Sequence, residues 1–176
     1  MDLEYFDNYY HVDISTQINN SWKEDTALGI VKDSRKFSIK IKGKDKEEIK
    51  RKFIWVDDSD SEGKYNNKII ALVYSYLLYK SICYFSEANP LLLCRDVRPE
   101  RFVVHYLNKI ANYFNNRQIL NRKIEFRKRD NKRQEKLPKS LAGKYVRKVF
   151  QGKIPPTKIL DQNEFKELIE IINKIL

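Results

Sequence analysis

The chain has 176 residues, of which 41% are hydrophobic and 34% charged, with only five glycines and five prolines. This fits one ordinary domain with a real core, and it excludes collagen-like or long disordered segments. The formal charge of +11 is unevenly held: residues 1–100 carry 16 Lys and Arg against 17 Asp and Glu, whereas residues 101–176 carry 19 against 7, which points to a polyanionic partner and first to nucleic acid.

Taken in chain order, Tyr9 to Ser15 reads as a first strand, with Tyr10, Val12 and Ile14 alternating against Tyr9, His11, Asp13 and Ser15. Asn19-Asn20-Ser21 is a turn, and Thr26 to Val31 is a second strand. Lys32-Asp33-Ser34-Arg35 closes a hairpin onto a third strand, Phe37 to Ile41. Gly43 to Glu48 reads as a charged loop or turn. Ile49 to Val56 is either a fourth meander strand or the end of a long hairpin. Asp57 to Gly63 is a loop before a long helix from about Tyr65 to Phe85, apolar nearly all round and so covered on both sides.

Asn89-Pro90 breaks that helix, and Leu91 to Cys94 is a central strand buried on both faces and parallel to the first. Pro99 starts a helix carrying Phe102, Val103, Tyr106, Leu107, Ile110 and Phe114 at helical spacing; Asn115-Asn116 ends it. Ile124 to Phe126 is a further strand, and Arg127 to Lys139 is a basic loop. Ser140 caps a helix through Phe150. Pro155-Pro156 separates it from a last helix, Glu164 to Leu176, whose capping box is Asp161 with Glu164.

Cys83 and Cys94 lie among apolar neighbours and form no metal-binding array, so they read as buried free thiols in a reducing, cytoplasmic setting. The acidic start, Met1-Asp2-Leu3-Glu4, lacks a signal-peptide pattern, and the apolar stretch Ile69 to Phe85 is interrupted by Lys80. No membrane partner is expected. The sequence sets no oligomeric state.

Two acids stand out. Asp13 sits inside an apolar strand, where a carboxylate is uncommon, and Asp96 closes the apolar run Leu91-Leu92-Leu93-Cys94-Arg95-Asp96. Carboxylates from two strands of one sheet can converge on a hard cation. The plainer alternatives are that Asp13 pairs with a surface cation and that Asp96 caps the helix after Pro99. The acids Asp57, Asp58, Asp60 and Glu62 read first as a solvated loop. His11 shares a strand side with Asp13; His105 has no visible catalytic partner.

The order of elements, with Asp13 on the first strand within His11-Val12-Asp13-Ile14-Ser15 and Asp96 ending the strand after the long helix, resembles the ribonuclease H-like superfamily of nucleases, resolvases and integrases. The resemblance implies an α/β fold with a mixed sheet, a three-stranded antiparallel meander plus parallel strands, flanked by helices as a single domain over residues 1–176. It also implies a metal-dependent nuclease cleaving DNA or RNA, in which Mg2+ or Mn2+ held by Asp13 and Asp96 serves phosphodiester hydrolysis. The family's acid within the long helix has no direct counterpart. Glu62, as a catalytic residue, or Asp58, as a metal ligand, would take its place, and Asp130 or Glu135 would supply a late carboxylate.

The nucleic-acid contacts expected from the residues are Arg122, Lys123, Arg127, Lys128, Arg129, Lys132 and Arg133, continuing through Lys136 and Lys139 to Lys144, Arg147 and Lys148, with Tyr145 as a candidate stacking ring and Phe126 as another, though core packing is the first reading for Phe126. Two other functions fit the same pattern: a non-catalytic nucleic-acid-binding protein, or a basic subunit that docks an acidic protein.

Overall fold

The computed structural model describes residues 8–15, 17–18, 21–54, 60–94, 99–120, 122–127 and 141–176, with the backbone alone described for 60–65. In chain order the elements are β1 (Tyr10–Ser15), β2 (Thr26–Lys32), β3 (Arg35–Ile41), α1 (Gly43–Phe53), α2 (Asp60–Ile82), β4 (Leu91–Leu93), α3 (Glu100–Tyr113), β5 (Ile124–Phe126), α4 (Leu141–Phe150), β6 (Lys158–Ile159) and α5 (Gln162–Ile175). The six strands form one sheet in the order β5-β4-β1-β2-β3-β6. β1, β2 and β3 are an antiparallel meander, whereas β4 runs parallel to β1, β5 parallel to β4, and β6 parallel to β3.

Alternation along β1 separates the two faces of this sheet. Tyr10, Val12 and Ile14 are buried in the main core; His11, Asp13 and Ser15 are half-buried on the other side. The two-residue β2–β3 turn places Asp33 at φ 54°, a left-handed conformation that Asp tolerates better than most residues. β4 is three leucines, all buried, because both of its faces are covered.

α2 lies on the main-core face. Every residue from Ile69 to Tyr79 is buried, since the sheet covers one side and α3 and α5 cover the others. The α2–α5 joint is polar and closed. The Tyr76 hydroxyl donates to Glu167 Oε1 at 2.6 Å, and the Glu164 carbonyl lies 2.9 Å from the same oxygen. Burial, reinforced by the Glu167 carboxylate, raises that hydroxyl's pKa far above its ordinary value. Lys80 pairs with Glu167 at 2.7 Å, and Lys158 pairs with Glu164 at 2.6 Å. The predicted capping box is present: Glu164 N–H donates to Asp161 Oδ1, and Asp161 N–H to Glu164 Oε2.

Three elements and the two cysteines differ from the sequence reading. Residues 43–53 are a helix rather than a loop followed by a strand. Gly43, Lys46 and Ile49 are buried at helical spacing, and the backbone N–H of Gly43 is held by Asp25 Oδ1. The long helix starts at Asp60, so Asp60 and Glu62 fall in its first turn instead of a preceding loop. β6 is an unforeseen edge strand, two residues long. Finally, neither cysteine is fully buried; neither forms a disulfide, and Cys83 is exposed. Among the described residues, no helix is long and apolar enough to cross a membrane.

Candidate functional site

The face opposite the main core is covered by α4, which crosses β1 and β2. Its buried side, Ala142, Tyr145, Val146 and Val149, closes on Ala27 and Val31 of β2 as a second, smaller core. Gly29 is what permits this approach. A Cβ there would lie 3.0 Å from Val146 Cβ and 3.3 Å from Tyr145 Cδ1. Because Gly29 is the register partner of Asp13, the glycine that seats α4 is also the neighbour of the singled-out carboxylate. Substituting Gly29→Val is expected to push α4 off the sheet and destabilise the protein by about 1–3 kcal/mol, read as a lowered urea midpoint. An unchanged midpoint would mean that α4 is not held there.

Asp13 opens into a concavity of about 370 Å³ between the C-terminal end of β1 and α4, lined also by Ser15, Gly143, Arg147 and Gln151. Its Oδ1 accepts a hydrogen bond from the Ile14 N–H at 2.9 Å. On the other flank of α4, a narrower concavity of about 210 Å³ is lined by Lys36, Lys144 and Lys148 together with Asp33, Tyr145 and Leu141. The exposed residues of α4 thus include Lys144, Arg147 and Lys148, and they divide between two grooves on either side of one helix. Tyr145 does not offer a stacking ring. It is 9% exposed, and its hydroxyl lies 3.0 Å from Ser38 Oγ. Phe126 packs against the main core.

The register aligns the ends of the parallel strands. Cys94 N–H donates to the Val12 carbonyl, and Arg127 N–H to the Leu93 carbonyl, so the chain after β4 and the chain after β5 both leave the sheet at the Asp13 end. Arg127 is there, half-buried. Arg122 and Lys123 are at the opposite end and have partners of their own. Arg122 Nη2 donates to the Glu87 carbonyl at 2.8 Å, and Lys123 pairs with Glu125 at 2.9 Å. Glu87 itself is chelated by Arg35 through two hydrogen bonds of 2.9 and 2.7 Å. Asp58, Asp96, Lys128, Arg129, Asp130, Lys132, Arg133, Glu135, Lys136 and Lys139 lie outside the described residues, as does the side chain of Glu62.

A hard cation needs several oxygen ligands. Among the described residues, no group of three or more acidic, His or Cys side chains could hold a metal ion. In the concavity, the described lining offers one carboxylate, Asp13, with the neutral side-chain oxygens of Ser15 and Gln151 and the guanidinium of Arg147, a poor fit to Mg2+ or Mn2+. Sequence reasoning had missed Lys36, which alternation places on the same side of β3 as Ser38 and Lys40, and Gly29. The signal for Gly29 was a lone glycine inside an otherwise apolar strand. Searches against family models, curated proteins and solved structures find no match to this chain.

Proposed function

We propose that this protein binds the phosphate backbone of nucleic acid across α4, on a ribonuclease H-like framework. The observation that carries the reading is the cationic side of α4: Lys144, Arg147 and Lys148 are exposed on a helix anchored to the sheet by its other side, and Lys36 adds a fourth charge from β3. Cations held at fixed spacing on a rigid element neutralise successive phosphates and make binding salt-dependent. The framework is supported by β1 lying beside β4 and parallel to it, with the meander on the other side of β1. Titrating labelled single- and double-stranded DNA and RNA, with polyglutamate as competitor, tests the reading. Affinity that falls steeply with salt and resists polyglutamate supports it. Equal competition by polyglutamate would point instead to an acidic protein partner.

A second reading, metal-dependent cleavage, is favoured by one observation: Asp13 is on the central β1, at the strand end from which the chain runs on toward Asp96. Arg147 in the same concavity weighs toward binding, since a guanidinium there already supplies positive charge to a phosphate. The discriminating assay is a panel of the same substrates with Mn2+, Mg2+ or chelator, comparing the unaltered chain with Asp13→Asn and Asp96→Asn. The expected result is binding that persists in chelator and in both variants. Metal-dependent cutting abolished by both substitutions would establish the nuclease instead.

A further inference from the structure

The helical layer on the other side of the sheet has a second cationic surface. α3 exposes Arg101, His105 and Lys109, each one turn after the last. Two adjoining concavities of about 490 and about 710 Å³ run along α3 and share Lys109 and Ile175, and Lys174 of α5 lines the far one. No acidic side chain is among the residues lining either concavity. Other cations of the protein are neutralised: Arg35, Lys40, Lys80, Lys123 and Lys158 each meet a carboxylate within 3 Å. Among the described residues, no acid pairs with Arg101, Lys109 or Lys174.

Two of these charges are held in place by rings. The Arg101 guanidinium lies 5.4 Å from the centre of the Phe102 ring, and Lys174 Nζ lies 4.9 Å from that of Tyr113. A cation over an aromatic face is fixed without being neutralised. It therefore remains available to an anion and loses less side-chain freedom when one arrives. The rings, already faced by their own cations, are not platforms for bases, so the surface reads charge rather than sequence. From Arg101 to Tyr113 the groove follows α3 for about 18 Å, a length suited to a linear polymer of phosphates.

We propose that this α3–α5 groove is a second, sequence-independent contact for a nucleic-acid backbone. It lies on the opposite side of the sheet from α4, so the protein can hold two strands or two segments at once. The proposal uses residues separate from those of the α4 reading, and it stands or falls separately.

The test is a chain carrying Arg101→Ala, Lys109→Ala and Lys174→Ala together, measured beside a Lys144→Ala, Arg147→Ala, Lys148→Ala chain. The probe is a labelled single-stranded oligonucleotide across a salt series. All three groove residues are exposed, and an unchanged melting midpoint confirms that the variant folds. The expected result is an affinity at least about tenfold lower and a log–log salt slope shallower by about one to two, since each lost phosphate contact on a single strand removes ~0.7. An unchanged slope in the groove variant overturns the proposal, whatever the α4 variant does. A shallower slope in the groove variant alone keeps it while the α4 reading fails. Equal loss of oligonucleotide and polyglutamate binding in the groove variant also overturns it, by making the groove a site for acidic protein.

Discussion

Truncating Lys144, Arg147 and Lys148 to alanine together is expected to weaken nucleic-acid binding on the order of 100-fold at ~0.1 M salt, with no loss of fold. The estimate follows from counterion release. Each phosphate contact contributes ~0.7 (single strand) to ~0.9 (duplex) to the log–log salt slope, so three contacts are worth about two to three decades relative to 1 M salt. One effect opposes them. Arg147 and Lys148 lie in the last turn of α4, where the negative pole of the helix repels a phosphate by about 0.3–1 kcal/mol. Two to three decades correspond to about 3–4 kcal/mol, so the side chains win. The fold is spared because α4 is held by Ala142, Tyr145, Val146 and Val149, none of which is altered. Fluorescence anisotropy from about 50 to about 300 mM salt reads the slope directly. A slope equal to that of the unaltered chain would remove α4 from the interface.

The legible parts of the fold were those where one periodicity dominates. β1 and β3 alternate cleanly, β4 is uniformly apolar, and α3 repeats its apolar residues at helical spacing, so each was placed to within a few residues. The parallel pairing of β1 with β4 followed from the uniformly apolar run of β4, which marks a central strand buried on both faces. α1 was not legible because its sequence, Gly-Lys-Asp-Lys-Glu-Glu-Ile-Lys-Arg-Lys-Phe, shows a nearly polar surface, and one of its core-facing residues is a lysine. No hydrophobicity pattern announces a lysine in a core. β6 escaped because two exposed residues carry no period, and only pairing with β3 defines it.

The candidate site divides in the same way. Asp13 announced itself as a carboxylate inside an apolar strand. Charge counting found Lys144, Arg147 and Lys148, but it also gathered Arg122 and Lys123, which proximity in sequence puts beside Arg127 and the three-residue β5 carries to the other end of the sheet. The α3–α5 groove could not be gathered that way, because Arg101, Lys109 and Lys174 come from two helices far apart in the chain. Individually each reads as an ordinary solvated cation.

Lys46→Met is expected to be strongly destabilising, and its effect is expected to change with pH. Lys46 is fully buried, and its Nζ donates to the Ser21 carbonyl at 2.7 Å, the Thr26 hydroxyl at 2.8 Å and the Ile18 carbonyl at 3.3 Å. The ammonium thereby ties α1 to the segment that follows β1, the strand that carries Asp13, and to the first residue of β2. Methionine fills the volume but leaves three acceptors without their donor, at about 1–3 kcal/mol for each that stays dry. Removing a buried charge offsets part of this, leaving a net loss of roughly 2–4 kcal/mol near neutral pH. The pH dependence comes from the same burial. Desolvation, only partly opposed by Asp25 and Glu24, lowers the Lys46 pKa from 10.5 to about 8. Between those values the unfolded chain binds more protons than the folded one, so this residue's contribution to stability rises with pH through that window. Its full amplitude is about 3 kcal/mol, at 1.36 kcal/mol per unit. Below pH ~8 the amine is charged in both states and that increment is absent. Urea unfolding of both proteins from pH ~7 to ~10.5 isolates the residue, because every other titration is common to the two. The gap between the curves should widen as pH rises. Curves that stay parallel would mean that the buried ammonium keeps its ordinary affinity for a proton, and the three acceptors, not the burial, would then set its energetics.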